Sequence, residues 1–253
     1  MSIFPYCYIG DMEAMSDRDI SMETTRHYRY LAKRVLDKLH SGHVDAFFAS
    51  DRTEALSRVA NLIHEKASIG IADSITLHQI GFFDWLANQK NHQVFNPFVW
   101  DDEGHPIYTH DERFELMRKA LTADVFVASS NAITLKGELI SVDGYGNRVA
   151  PTIFGPNKVI LVIGANKIVR DVEAGLARVR DICAPLNVIR HVEKHHTEYM
   201  KDLPCANTGF CANCESPARV CRKTVIISGQ SPEFFAGKEE GLSVVLVGES
   251  LGI

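Results

Sequence analysis

Apolar and polar positions follow two rhythms along this chain. Over residues 21–39, Tyr28, Leu31, Val35 and Leu39 recur at spacings of three and four, which predicts a helix that Ser41-Gly42 ends. Short apolar runs then take over. Residues 44–49 (VDAFFA), 68–72 (SIGIA), 92–98 and 124–129 (DVFVAS) have strand length. Between them, residues 52–66, a segment capped by Asp73-Ser74-Ile75-Thr76 and running through Asn88, and residues 111–121 read as helices. Strand alternating with helix predicts an α/β fold, a mainly parallel sheet flanked by helices. The middle departs from that rhythm. Residues 132–142 read as two short strands broken at Lys136-Gly137, followed by a Gly-rich turn over residues 143–147. A strongly apolar strand over 159–164, a helix over 169–182 and two last strands over 224–227 and 243–247 complete the pattern. The expected organisation is an N-terminal helical arm (1–40) and one α/β domain (41–253) with a Cys-rich loop over 204–222.

Composition narrows the function classes. A chain of 253 residues, 45% hydrophobic and 23% charged, can bury the core of one α/β domain. A net charge of -5 and a pI of about 6.1 disfavour a nucleic-acid or anionic-membrane partner, both of which need a basic face. No apolar run approaches the roughly 20 residues of a membrane span. The first ten residues (MSIFPYCYIG) lack the basic and long apolar regions of a leader, so a cytoplasmic protein with few stable disulfides is expected.

Four of the six cysteines, Cys205, Cys211, Cys214 and Cys221, fall in the spacing C-x5-C-x2-C-x6-C. The inner C-x2-C step lets two sulfurs face one ion across a tight loop. A Gly/Asn/Pro-rich loop is a poor place for four buried core thiols, so the expectation is a thiolate-held metal centre. An iron–sulfur cluster of the 4Fe–4S type comes first, zinc second. Cys7 and Cys183 read as ordinary core or surface residues. The histidines of HVEKHHTEYM read as solvent-facing.

Four further segments are candidate ligand contacts. The strand-to-helix junction offers the Ser74 and Thr76 hydroxyls to an anion, or a plain N-cap. Asn131 and the Thr134–Leu139 segment (TLKGEL) follow, with Gly137 a backbone contact and Glu138 a candidate base or nucleophile; a simple hairpin turn is the alternative. Gly144, Asn147 and Arg148 form a flexible turn with a guanidinium suited to phosphate or carboxylate. Asn166 and Lys167 stand at the end of the apolar strand, where α/β folds place ligand groups. There is no G-x-S-x-G, P-loop, G-x-G-x-x-G or H-E-x-x-H. Serine hydrolase, P-loop NTPase and zincin chemistry have no support.

Taken in order, IADSITLHQIG (71–81), SSNAITLKGELISVDGYGNRVAPTIFGP (129–156), VILVIGANKIV (159–169), DVEAGLARVRDICAPLN (171–187), PCANTGFCANCESPARVC (204–221) and VVLVGESLG (244–252) resemble the LUD (lactate utilisation) domain family. The chain is similar to a cysteine-bearing branch of it. The resemblance implies a fold like the NagB/RpiA/CoA-transferase superfamily. It also implies a place beside iron–sulfur partner proteins in oxidation of lactate or a related organic acid, and it transfers no catalytic residue. Asp73 stands where a Gly-rich turn is expected, and its charge argues against a phosphate cradle. The leading expectation is a redox-linked protein binding a small anionic metabolite or nucleotide, with a homo-oligomer as one state it can adopt. Two alternatives stand beside it: a group-transfer or isomerase enzyme on a phosphorylated or CoA-linked substrate with structural zinc, and a non-catalytic redox-sensing subunit.

Overall fold

A computed structural model describes residues 19–231 and 240–253. Cys7 lies outside the described residues. In chain order the helices are α1 (Ser21–Ser41), α2 (Arg52–Leu62), α3 (Ile75–Gln79), α4 (Phe82–Ala87), α5 (His110–Ala120), α6 (Val149–Ile153), α7 (Val172–Arg178), α8 (Ala184–His195) and α9 (Pro204–Thr208). The strands are β1 (Asp45–Ala49), β2 (Ser68–Ile71), β3 (Gln93–Phe95), β4 (Val125–Ala128), β5 (Ala132–Thr134), β6 (Leu139–Asp143), β7 (Lys158–Gly164), β8 (Ile168–Val169), β9 (Lys223–Ile227) and β10 (Gly241–Val247).

Six strands form one parallel sheet in the order β1-β10-β7-β4-β2-β3. Its central strands are buried along their whole length, which is why they read as unbroken apolar runs. Period-two alternation still sorts the side chains. Ile69, Val125, Val127, Ile160, Val162 and Val245 pack under α2, α3 and α4. Phe126, Leu161, Ile163, Val244 and Leu246 face the other way, onto Ala32, Val35 and Leu39 of α1 and Ala120 of α5. A second, mixed sheet in the order β8-β5-β6-β9 adds Ile133 and Leu139 to that second layer.

Two departures from the sequence pattern have local causes. The single helix expected through Asn88 is two, because Gly81 adopts φ +76 between α3 and α4, a left-handed setting that breaks the ladder. The helix expected to stop at residue 182 continues to His195. A π turn over Val179–Cys183 joins α7 to α8. Pro185, which has no N–H, sits in the first turn after it, where the regular ladder is already interrupted.

Candidate functional site

The C-terminal ends of β2, β4 and β7 meet at a cavity of about 360 Å³, the edge at which parallel sheets hold ligands. Ser74 and Thr76 come from the turn after β2, Ser129 and Ser130 from the end of β4, and Lys167 from the short 3-10 turn after β7. The Gly-rich turn after β6 adds Gly144, Asn147 and Arg148, and α8 closes the opposite side with Arg190, His191 and His195.

Lys167 is 3% exposed, and its Nζ donates to Thr76 Oγ1 at 2.9 Å and Ser129 Oγ at 3.0 Å. Burial, helped by the nearby Arg178 and Arg148 and opposed by Cys183, brings its pKa down to about 7. Arg148 donates Nη2 to Asn131 Oδ1 at 3.1 Å and to the Val142 carbonyl. Arg113 donates Nε to the Pro97 carbonyl at 3.2 Å and lies over the Trp100 ring. Two guanidiniums and one lysine on this cavity therefore have only neutral partners. The acids nearby are already engaged. Asp143 accepts from the Arg148 and Val149 amides, and Asp73 is clasped by Arg190 at 2.8 and 3.2 Å. That clasp neutralises the Asp73 charge that the sequence set against an anion site. Burial presses the Asp73 carboxyl up, but Arg190 outweighs it and the pKa falls below the usual value. The net field of the cavity favours an anion.

Ser74, Thr76, Asn131, Gly144, Asn147, Arg148 and Lys167 thus converge. Ser74 is also a true N-cap, its hydroxyl accepting from the Leu77 amide. Gly137, Glu138 and Asn166 do not line the cavity. Glu138 lies in the β5–β6 hairpin turn, where its carboxylate accepts from the Thr134 hydroxyl at 2.8 Å. Asn166 Oδ1 instead accepts the Leu251 amide at 3.0 Å.

The solvent-facing expectation for the histidines fails at two of the three positions. His191 and His195 line the cavity, and His195 stacks on Trp100 at 3.8 Å between centroids. Burial leads the forces on both. It carries His191 down to about 4, so that imidazole is neutral at pH 7. Asn187, His191 and His195 share one face of the helix by their i, i+4 spacing, but polar residues on a face carry no sequence signal of burial. Cys183 also lines the cavity. It is buried, and Arg178 Nη1 lies 2.8 Å from its sulfur.

Cys205, on α9, and Cys211, Cys214 and Cys221, on the loop after it, line a second cavity of about 230 Å³. All four are free thiols. Burial pushes the Cys205 thiol up, and Cys214, Cys221 and Cys211 are close enough to push it further. Asn213, at φ +49 between two of them, donates its amide to Cys211 Sγ at 3.4 Å. Arg180 and Arg219 line the same cavity and would offset thiolate charge. By donor type these residues suit a thiolate-held metal or cluster. The sulfurs share the cavity without closing on one centre: among the described residues no three His, Cys, Asp or Glu side chains surround one point in ligating geometry. Val142, Val179, Ala184, Val220 and Cys221 line both cavities, so the two share a wall. Among the described residues no helix is long and apolar enough to cross a membrane.

Comparison with known proteins places this arrangement. No curated protein matches the chain. A crystal structure of a DUF162 family protein from Deinococcus radiodurans is similar at 15% identity and a TM-score of 0.48, covering 87% of this chain and 98% of that one. The family model described as the LUD domain matches residues 32–238. That match takes in five of the six strands of the parallel sheet, the mixed sheet, nearly all of the cavity lining and the whole cysteine loop, and with it the chain belongs to the LUD-domain family.

Proposed function

We propose that this protein binds a small organic-acid anion in the cavity at the sheet edge and carries a redox-active thiolate centre, iron–sulfur in kind, in the cavity next to it. The family is linked broadly to lactate utilisation, so lactate and its two-electron oxidation product pyruvate are the first ligands to test. Arg148 and Arg113 would hold the carboxylate, and Thr76, Ser129 and Lys167 the hydroxyl or carbonyl oxygen. Cys205, Cys211, Cys214 and Cys221 would hold the centre, which when bound would supply one-electron chemistry. An iron–sulfur partner protein is the expected carrier to and from it.

The observation that carries this reading is the common wall. Cys221 faces both cavities, so a centre held there would lie beside the bound acid. Group transfer with Glu138 as the essential carboxylate is not favoured, because Glu138 stands in the hairpin turn and not on the cavity.

The test is iron, zinc and acid-labile sulfide analysis of anaerobically purified protein, with visible spectra before and after dithionite and before and after pyruvate. Iron with matching sulfide, and a bleachable band that pyruvate perturbs, is the expected result. Zinc alone, or neither metal, ends the redox reading, and a band indifferent to every organic acid tried ends the claim of adjacency.

A further inference from the structure

Lys167 is an unusual amine. It is fully buried, and it has no carboxylate partner. A neutral amine has two N–H donors and one lone pair, whereas an ammonium has three donors and none. The site offers Lys167 two acceptors, Thr76 Oγ1 and Ser129 Oγ. Two acceptors satisfy the neutral form and leave its lone pair unengaged. The groups facing it from the other elements are Arg148, Arg178 and Cys183, and the two guanidiniums oppose a third positive charge. The backbone of Gly252, at φ +70, also passes close to this side chain. A Cβ on Gly252 would stand 2.7 Å from Lys167 Nζ and 2.2 Å from Thr76 Oγ1, so only a glycine lets the last segment close over this floor.

A nucleophilic amine is one that is desolvated or set beside other cations, and both conditions hold here. From this geometry we infer that Lys167 forms an imine with the carbonyl carbon of a 2-oxo acid bound in the cavity. The Nζ lone pair attacks the carbonyl carbon and makes the C–N bond. The two amine hydrogens leave with the carbonyl oxygen as water, with the Thr76 and Ser129 hydroxyls in place to relay protons. No oxidant or reductant is consumed. Arg148, held by neutral acceptors on the same cavity, would take the acid's carboxylate. The inference rests on the proposed organic-acid site, but not on a metal centre.

The test is reductive trapping. The full-length protein is incubated with pyruvate and sodium cyanoborohydride, and the adduct is measured by intact mass and located by peptide mapping. Lactate binding to the same preparation is followed by calorimetry. The expected result is one adduct per chain, on Lys167. Its rate should climb as pH rises through 7, and it should be lost in Lys167→Arg, which keeps a cation but has no amine lone pair to give. If lactate binds and no adduct forms on Lys167, or if the label spreads evenly over surface lysines, the imine is overturned while the organic-acid site stands. An adduct on Lys167 without lactate binding upholds the imine and removes the 2-hydroxy acid from the reading. With neither binding nor adduct, both fall. Circular dichroism of Lys167→Arg and of Lys167→Met separates loss of the amine from loss of the fold.

Discussion

Arg190 reaches Asp73 across 117 residues of sequence and grips it through both terminal guanidinium nitrogens, Nη1 and Nη2, at 2.8 and 3.2 Å. Both side chains are only 15% exposed. The pair ties α8 to the turn after β2 and thereby brings His191 and His195 to the cavity. Removing one partner strands a buried charge, which typically costs about 3–5 kcal/mol. Arg190→Met should therefore destabilise strongly in chemical denaturation, and more than Arg52→Met, whose pair with Glu249 is half exposed.

The same pair sets an acid dependence. The folded Asp73 pKa lies below its ordinary 3.8. A depressed carboxylate contributes stability that is present above the unfolded value and is lost as pH falls through the folded one. The stability gap between wild type and Asp73→Asn should be level above about pH 5 and shrink below 3.8. A gap that stays constant to low pH would show that Arg190 does not hold the carboxylate charged.

Lys167 predicts a slope on the alkaline side. Its pKa falls from 10.5 unfolded to about 7 folded, so between those values the unfolded chain binds the extra proton. Stability must then rise with pH across that window on account of this group. The difference between wild type and Lys167→Met, from urea unfolding at pH 7 and pH 10, should shift in favour of wild type at the higher pH. A lysine that stays charged in the fold would give no such shift.

Much of this was legible in the sequence, and the reasons are physical. The central strands were plain because both faces of the sheet are covered, leaving runs such as VILVIG with no polar break. The residues after β2 and β7 could be found from the strand-end rule, and those after β6 from a Gly-rich turn that ends in an arginine. The α8 wall could not. Arg190, His191 and His195 look like solvent residues, and only the fold shows what covers them. Glu138 and Gly137 were drawn in by a polar break between apolar segments, which in the fold is a hairpin turn packed by Thr134 on one side and Lys38 on the other. Asp73 looked like an obstacle to an anion because its partner lies 117 residues away.

The three polar residues flanking the apolar strands can be told apart by binding. Arg148→Ala removes a guanidinium from the cavity and should weaken pyruvate binding by roughly tenfold to a hundredfold, the worth of a charged hydrogen bond. Glu138→Gln should leave affinity unchanged. Asn166→Ala should also leave affinity unchanged, yet lower stability by about 1–3 kcal/mol, because the Leu251 amide loses its acceptor. Calorimetry paired with thermal melts checks all three, and an affinity loss in Glu138→Gln would move the site toward the hairpin.

The shared wall makes a prediction that needs no knowledge of the metal. Cys221 lines both cavities, whereas Cys211 lines only the cysteine cavity. In metal-stripped protein both thiols are free to react with iodoacetamide, at rates set by thiolate fraction and access. A ligand in the sheet-edge cavity covers one face of Cys221 and no part of Cys211. Saturating lactate should therefore slow alkylation of Cys221 while Cys211 keeps its rate, as read by quantitative peptide mass spectrometry over a time course. Arg148→Ala, by weakening the ligand, should abolish the difference at the same lactate concentration. Equal protection of both thiols would point to general tightening of the loop, and no protection at either would place the bound acid away from the Cys221 wall.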